Sequence, residues 1–517
     1  MDTLKAPCSN PMIRKLLLVA WLALASVAVP AAEPADAPPA TRKLSLGDCF
    51  QLALEHNLNL QIERHNNRIQ GIQLAGSYGV YDPLFRFNAR KDHLDSPDIF
   101  NPRKVSGDIQ YDIDTVTYGA GIGGKLPTGG FYDLSGMLTR WKDFSDFGGL
   151  VPPIRTNEYG FTTMLTLSQP LLKNFWIDAD RLVIQVNKKN LKISELALLK
   201  TIMNTIGNVE SAYYDAISAS EALRIQRATY EKTRKLLGDV QARIQAGTMP
   251  ALEEKLLDYD VASLAEDVVS AERADGDAQA SLRNLLTEDL KDWVGARLEV
   301  TDKLPEVEEQ FNQIESWRDA MTKRPEVLQM QLNLEKQDIA LRYDRNQLYP
   351  SLDISGTYGL NAVQPGLENT VTRIERASHS VYGYGAIFTI PLGNRTARSK
   401  YKVDQEGRKQ AVLQMKQLEM QILTDVENSG RQLTTTWRRI EPAKRARDLA
   451  EQVLQSEEGK ILLQQTTSFN VVEARRRLTT AQLGALHAAV DYNKARLQVA
   501  QSQGEILERN AIAVNFK

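Results

Sequence analysis

Cysteine is almost absent: Cys8 and Cys49 are the only two in 517 residues. Cys8 precedes an apolar run from Leu16 to Val29, so a chain processed after that run keeps Cys49 alone. An intrachain disulfide is then excluded, and the fold must be held by packing or oligomerisation. No cysteine directly follows the run, which leaves no site for a lipidated N-terminus. Charge of one sign is missing too, with 63 Lys and Arg against 65 Asp and Glu, a net charge of −2. Losing Lys5, Arg14, Lys15 and Asp2 with residues 1–31 takes this to about −4, and no basic surface points to nucleic acid. Beyond the N-terminus no apolar run is long enough for a membrane helix, so any membrane crossing must use strands.

The N-terminus carries Arg14 and Lys15, then the apolar run, then small residues at Ala28, Ala31 and Ala32. This is the pattern of a secretory signal peptide over residues 1–31, with Met12 as a candidate start. The run is shorter than the roughly 20 residues that span a bilayer. Residues 32–43, rich in Pro and Ala as far as Ala40, read as a flexible leader.

What the chain does have is an internal repeat. Ala53, Asn66, Gln70, Ile72, Leu74 and Pro83 recur as Ala320, Asn333, Gln337, Ile339, Leu341 and Pro350, each pair 267 residues apart. In both copies a helical segment reaches a proline, alternating strand sequence follows, and a long helical pattern begins after Pro170 or Pro391. The expected division is a first repeat over 44–300 (helix, strands 84–169, helical hairpin 171–287) and a connector over 301–312. A second repeat over 313–508 (helix, strands 351–390, helical hairpin 394–508) and a tail over 509–517 complete it.

From Pro170 to Pro250 no proline interrupts, and a helix over most of this stretch would be roughly 110 Å long. In the second copy apolar residues recur in steps of three and four at Val412, Met415, Ile422, Val426, Leu433, Ile440, Ala443, Ala450, Leu454 and Ile461. That is a coiled-coil seam, interrupted at Glu419, Arg447 and Glu457. Pro442 lies inside it and predicts a kink or local break. Each long helix turns back, at Ala246-Gly247-Thr248-Met249-Pro250 and near Gln465-Thr466-Thr467-Ser468, where hydroxyls are candidate caps.

The strand regions alternate and are rich in aromatics, among them Tyr118, Phe131, Trp141, Tyr159, Tyr358, Tyr382 and Phe388. Such strands fit a transmembrane β-barrel, and a soluble sandwich is the alternative. Thr115 to Lys125 and Phe131 to Trp141 flank a tight turn at Leu126–Gly130. Counting directions of travel gives four strands in the first copy and two in the second, with that turn at the same end as Pro83 and Pro170. That makes six strands per chain; the alternative is four membrane strands per chain with the extra hairpin projecting outside.

Several motifs are decoys. Gly119-Ala120-Gly121-Ile122-Gly123-Gly124 matches G-x-G-x-x-G, but turn residues follow where a phosphate-binding helix would have to open, so small residues on a curved strand are expected instead. The five histidines, His56, His65, His93, His379 and His487, make no close ligand pair, and no metal or cofactor is expected. No nucleophile elbow or other catalytic signature occurs, which argues against an enzyme. Arg475-Arg476-Arg477 reads first as a solvated helix face.

Taken together, the chain resembles the outer membrane efflux protein family, the TolC-like outer-membrane factors, over nearly the whole mature sequence. The resemblance rests on Leu46 to Asn59, its second copy Trp317 to Val327, Pro83 and Pro350, the strand endings Ser168-Gln169-Pro170-Leu171-Leu172 and Ile390-Pro391-Leu392-Gly393, and the hairpin turns. It implies an α+β membrane protein. Three chains form a homotrimer whose β-barrel, set in outer-membrane lipid, continues as an α-helical tunnel across the periplasm. It implies passive export through a periplasmic adaptor (membrane fusion) protein from an inner-membrane transporter of RND, ABC or MFS type, either in tripartite efflux or in type I secretion.

By the same resemblance Ala246, Gly247, Thr248, Gln464, Gln465 and Thr466 form adaptor-contacting hairpin tips. The family's two entrance-narrowing aspartates align with Asn470 and Glu473, of which only Glu473 is acidic. Arg475 and its neighbours would pair with Glu253 or Glu254 across the hairpins and hold the entrance closed. A periplasmic coiled-coil protein of structural or adaptor type, with a soluble β domain, is the competing reading.

Overall fold

The computed structural model describes residues 41–96, 109–147, 152–247, 249–293, 295–376, 379–463 and 465–513 of the 517. The expected signal peptide, most of the leader, Thr248, Gln464 and the last four residues lie outside the described residues.

After a short first strand, β1 (Thr41–Leu44), come two short helices, α1 (Leu46–His56) and α2 (Leu58–Ser77). Ser45 and Asp48 close a reciprocal capping box on α1, and the Asn57 side chain caps α2. Four strands follow, β2 (Leu84–Ser96), β3 (Ile109–Lys125), β4 (Phe131–Phe147) and β5 (Ile154–Pro170). Then come the long helix α3 (Ala179–Gln245) and the returning helix α4 (Ala251–Leu286). The second half repeats this order: α5 (Gln313–Lys323), α6 (Pro325–Asn346), β7 (Ser351–Gln364), α7 (Leu367–Glu375), β8 (Ser380–Thr389), α8 (Arg395–Leu462) and α9 (Ser468–Gln503). A short α10 (Ile506–Arg509) closes it. With 67 residues, α3 is about 100 Å long, and α8 matches it at 68.

Residues 41–43, read above as the end of a flexible leader, belong instead to β1 (Thr41–Leu44), which pairs in parallel with β6 (Arg297–Val300). This pair lies against the middle of α3, where the largest apolar cluster gathers Phe50 and Ala53 of α1 with Ile206, Val209 and Tyr213 of α3. The Tyr213 hydroxyl binds the carbonyl of Leu44 and the carboxylate of Asp302, both at 3.1 Å, and so ties β1 to the rod. Cys49 is fully buried here, and burial pushes its thiol up to about 12. It therefore stays protonated and unreactive.

The α8 seam packs as its periodicity indicates, with Ile422, Val426, Leu433, Ile440, Leu454 and Ile461 all buried. Of the kink or local break expected at Pro442, the break does not occur: α8 runs through it without interruption. Pro442 and Arg438 are both exposed, so water can hydrate the carbonyl that loses its donor. The expected hydroxyl cap of α9 is absent as well. Thr467 makes no side-chain cap, while Thr466 binds Glu457 and Ser468 binds Glu253.

All six long strands form one antiparallel sheet in the order β2-β3-β4-β5-β7-β8. No second sheet covers it among the described residues, so it is not a sandwich. The hairpin of β3 and β4 is an interior part of it. Among the described residues neither edge strand, β2 or β8, has a further strand partner.

Candidate functional site

Antiparallel register fixes which side chains share a face, because partners across each ladder point the same way. One face carries Phe85 and Phe87 of β2, Tyr118 and Ile122 of β3, and Leu134 and Leu138 of β4. Across the remaining strands it carries Phe161, Leu165 and Leu167 of β5, Ile354 and Tyr358 of β7, and Tyr382 and Tyr384 of β8. The other face is richer in polar and small residues, with Arg86, Asn88, Thr117, Asp133, Ser135, Thr162, Thr166, Thr357, Asn361 and three glycines of the decoy motif, Gly119, Gly121 and Gly123, interspersed with apolar side chains such as Met137, Trp141, Met164 and Val363. A Cβ at Gly123 would come within 2.9 Å of the Tyr132 carbonyl, which accounts for glycine there without any phosphate. From Tyr159 to Leu167 the apolar face runs about 27 Å along β5 before tilt is allowed for. Outer-membrane barrels carry an apolar belt of roughly 25 Å on this scale.

The turn between β3 and β4 sits at the end of the sheet that meets the helices. Gly129, at φ +89°, closes it; the Trp176 amide donates to the Thr128 carbonyl at 3.2 Å, and Arg181 donates to the Pro127 carbonyl at 2.9 Å. Lys125 adds an ion pair to Asp180 at 2.6 Å. At the same end Asp344 of α6 is buried beside Lys400 of α8, at 3.1 Å. Asp404 lies one turn along α8, and its interaction with Asp344, whose two carboxylate oxygens have no hydrogen-bond partner among the described residues, together with burial raises its carboxyl to about 6. Because the folded-state value lies above the ordinary 3.8, the folded state favours the proton: the stability cost is full above about pH 6 and is relieved as pH falls toward about 4. Amide exchange over residues 395–410, corrected for intrinsic rates, should therefore slow between about pH 7.5 and 5.5. Asp404→Asn should remove that dependence, and an unchanged profile in the variant would reject the assignment.

The tips lie at the far ends of the long helices. Gly247, at φ +73°, ends α3, and its amide bonds to the Ile244 carbonyl at 2.9 Å. The other turn is closed by the Gln465 amide on the Lys460 carbonyl at 3.0 Å. Ala246, Gly247 and Gln465 are exposed and Thr466 is half-buried. Asn470 is exposed and donates to Thr466 at 3.0 Å. Glu473 is not a free carboxylate: Arg477, one turn on, donates to it at 3.0 Å.

The arginine run is divided among three tasks. Arg475 is buried, donating to Glu458 of α8 at 2.7 Å and to Thr233 of α3 at 3.3 Å, while its Nε has no partner among the described residues. Arg476 crosses to α4 and donates to Asp260 at 2.9 Å. Burial raises the Asp260 carboxyl, Arg476 opposes that shift and Glu473 adds to it. The expected pairing with Glu253 or Glu254 is thus replaced: Glu253 accepts from Ser468, and Glu254 accepts from Gln241. Sequence could not have nominated Asp260, since it meets Arg476 across 216 residues with no local periodic signal. Among the described residues no group of His, Cys, Asp and Glu could hold a metal ion.

No family model matches the chain, and no curated protein matches it by sequence. Solved structures do. The outer membrane channel CmeC of Campylobacter jejuni superposes with a TM-score of 0.65 at 15% identity, covering 89% of this chain and 85% of that one. The outer membrane protein VceC of Vibrio cholerae gives 0.62 at 13%, covering 89% and 96%. The open state of the outer membrane channel MtrE of Neisseria gonorrhoeae gives 0.62 at 14%, covering 89% of each. The sheet, the paired long rods and the turns thus build the fold of the TolC-like outer-membrane channels.

Proposed function

We propose that this protein is an outer-membrane channel of an export system, a passive conduit through the periplasm and outer membrane. The observation that carries the reading is the single sheet with one apolar and one polar face, open at both edges and continued by helices about 100 Å long. Six strands cannot close a barrel alone, and free edges of such length would aggregate unless paired. Three copies close 18 strands, a size at which a barrel encloses an aqueous channel. The polar face then lines the lumen and the apolar face meets lipid.

The helical tips are the periplasmic entrance, contacted by an adaptor protein that links the channel to an inner-membrane transporter. Efflux and type I secretion both fit. A periplasmic structural or adaptor-like protein would leave Phe85, Leu165, Tyr382 and the rest of the apolar face in water, which disfavours it. Cell fractionation tests the choice. Heat-modifiable trimers in the outer-membrane fraction are expected; release with the periplasmic contents would sink the proposal.

A further inference from the structure

On the apolar face the composition changes abruptly at the end of the sheet away from the helices. After Leu138, β4 places Arg140 and Lys142 on this face, and after Tyr159, β5 places Arg155 there. Register sets Arg140 opposite Tyr159, Lys142 opposite Asn157 and Phe144 opposite Arg155, so the three cations form one patch across two adjacent strands. Arg140 donates to Asn157 at 3.1 Å and lies 5.5 Å from the centre of the Tyr159 ring. Arg155 lies 5.1 Å from the centre of the Phe144 ring.

None of the three has an ion-pair partner among the described residues, although acids are close by. On neighbouring β3 the same face carries Asp112 and Asp114, but these are engaged by β2: Lys91 is 3.6 Å from Asp114, and His93 is 3.1 Å from Asp114 and 3.4 Å from Asp112. The aromatic rings hold the two guanidinium groups in place while leaving N–H donors free. Unpaired cations at the border of an apolar belt face the headgroup layer, where phosphate oxygens are the available anions.

We propose that Arg140, Lys142 and Arg155 bind the phosphate groups of the phosphorylated glycolipid in the outer leaflet, an inference that rests on the channel reading above. Planar guanidinium forks suit phosphate oxygens, and Lys142 adds a point charge between them. The lipid would then grip the barrel wall at the first-half strands, away from the β2 and β8 edges.

Native mass spectrometry of detergent-purified trimers incubated with diphosphorylated lipid A, or with its dephosphorylated form, tests the site. The wild type should retain the phosphorylated form at least tenfold more. Arg140→Gln/Lys142→Gln/Arg155→Gln should lose that preference, each single variant should lose part of it, and Arg90→Gln on the opposite face should keep it. Equal retention by wild type and triple variant overturns the site, as does equal retention of the two lipid forms. Equal displacement by phosphatidylglycerol overturns the assignment to the glycolipid. Wild-type trimers that sediment with the outer membrane yet show no preference reject this site alone. Absence of the wild type from the outer membrane rejects the channel reading itself.

Discussion

Arg476→Ala is expected to raise the open probability of the channel in bilayer recordings by a factor on the order of a hundred. Arg476 is the cation that the carboxylate of Asp260 meets across the hairpins, and Asp260 is buried. Removing one partner of such a pair leaves the other charged and desolvated, which costs about 1–3 kcal/mol. The half exposure of Arg476 places this case at the lower end of that range. In a trimer the loss occurs three times, so about 3 kcal/mol is removed from the closed arrangement, and each 1.4 kcal/mol is tenfold in the equilibrium. Asp260→Asn should open the channel less, because it removes the attraction without stranding a charge. Glu473→Gln has a different readout. It frees Arg477 from its ion pair, so cation selectivity should fall with little change in gating. Arg476→Ala trimers that insert normally and keep wild-type open probability would show that the hairpin contact does not hold the entrance.

The parts legible from sequence were those governed by local periodicity and by turn chemistry. The α8 seam could be read because each of its residues repeats on the same face every three or four positions, and burial follows from that alone. The turn at Leu126–Gly130 could be read because proline and two glycines leave few other conformations. What escaped depends on partners far away in the chain. The pairing of β1 with β6 joins residues 41–44 to 297–300, and nothing within Thr41–Leu44 announces it. Strands β3 and β4 extend to Ile109 and Phe147, beyond the alternating stretch, because each supplies the other's ladder. The helix α7 interrupts the 351–390 stretch expected to hold strands; its Thr370 is buried and donates to the Tyr159 carbonyl at 3.1 Å, a contact supplied by β5. At the tips, the arginine run is plain in the sequence, but which acid each arginine meets depends on how four helices pack. Glu473 shows the same limit: as a letter it is an acidic ring member, while in the structure Arg477 offsets its charge.

Tyr384→Pro is expected to abolish the trimer while leaving the protomer folded. The Asn361 amide donates to the His379 carbonyl at 3.1 Å, which makes residues 361 and 379 a hydrogen-bonded pair of the β7–β8 ladder. Antiparallel pairs alternate, so Val381, Gly383, Gly385 and Ile387 point their amides toward β7, and Tyr382, Tyr384 and Ala386 point theirs to the free edge. Proline at position 384 therefore breaks no bond within the chain. It removes a donor only from the seam where β8 would meet β2 of the next copy, and its ring holds the neighbouring strand away. Within lipid the carbonyl left unpaired across that seam costs several kcal/mol, and three seams per barrel carry the defect. Heat-resistant trimers should fall by more than about a hundredfold, with the helical far-ultraviolet signal of the protomer retained. Gly385→Pro is the contrast: it should damage the β7–β8 ladder itself and lower protomer stability. Trimers formed by Tyr384→Pro at wild-type yield would mean that β8 does not pair with another chain, and the barrel of three six-stranded sheets would have to be abandoned.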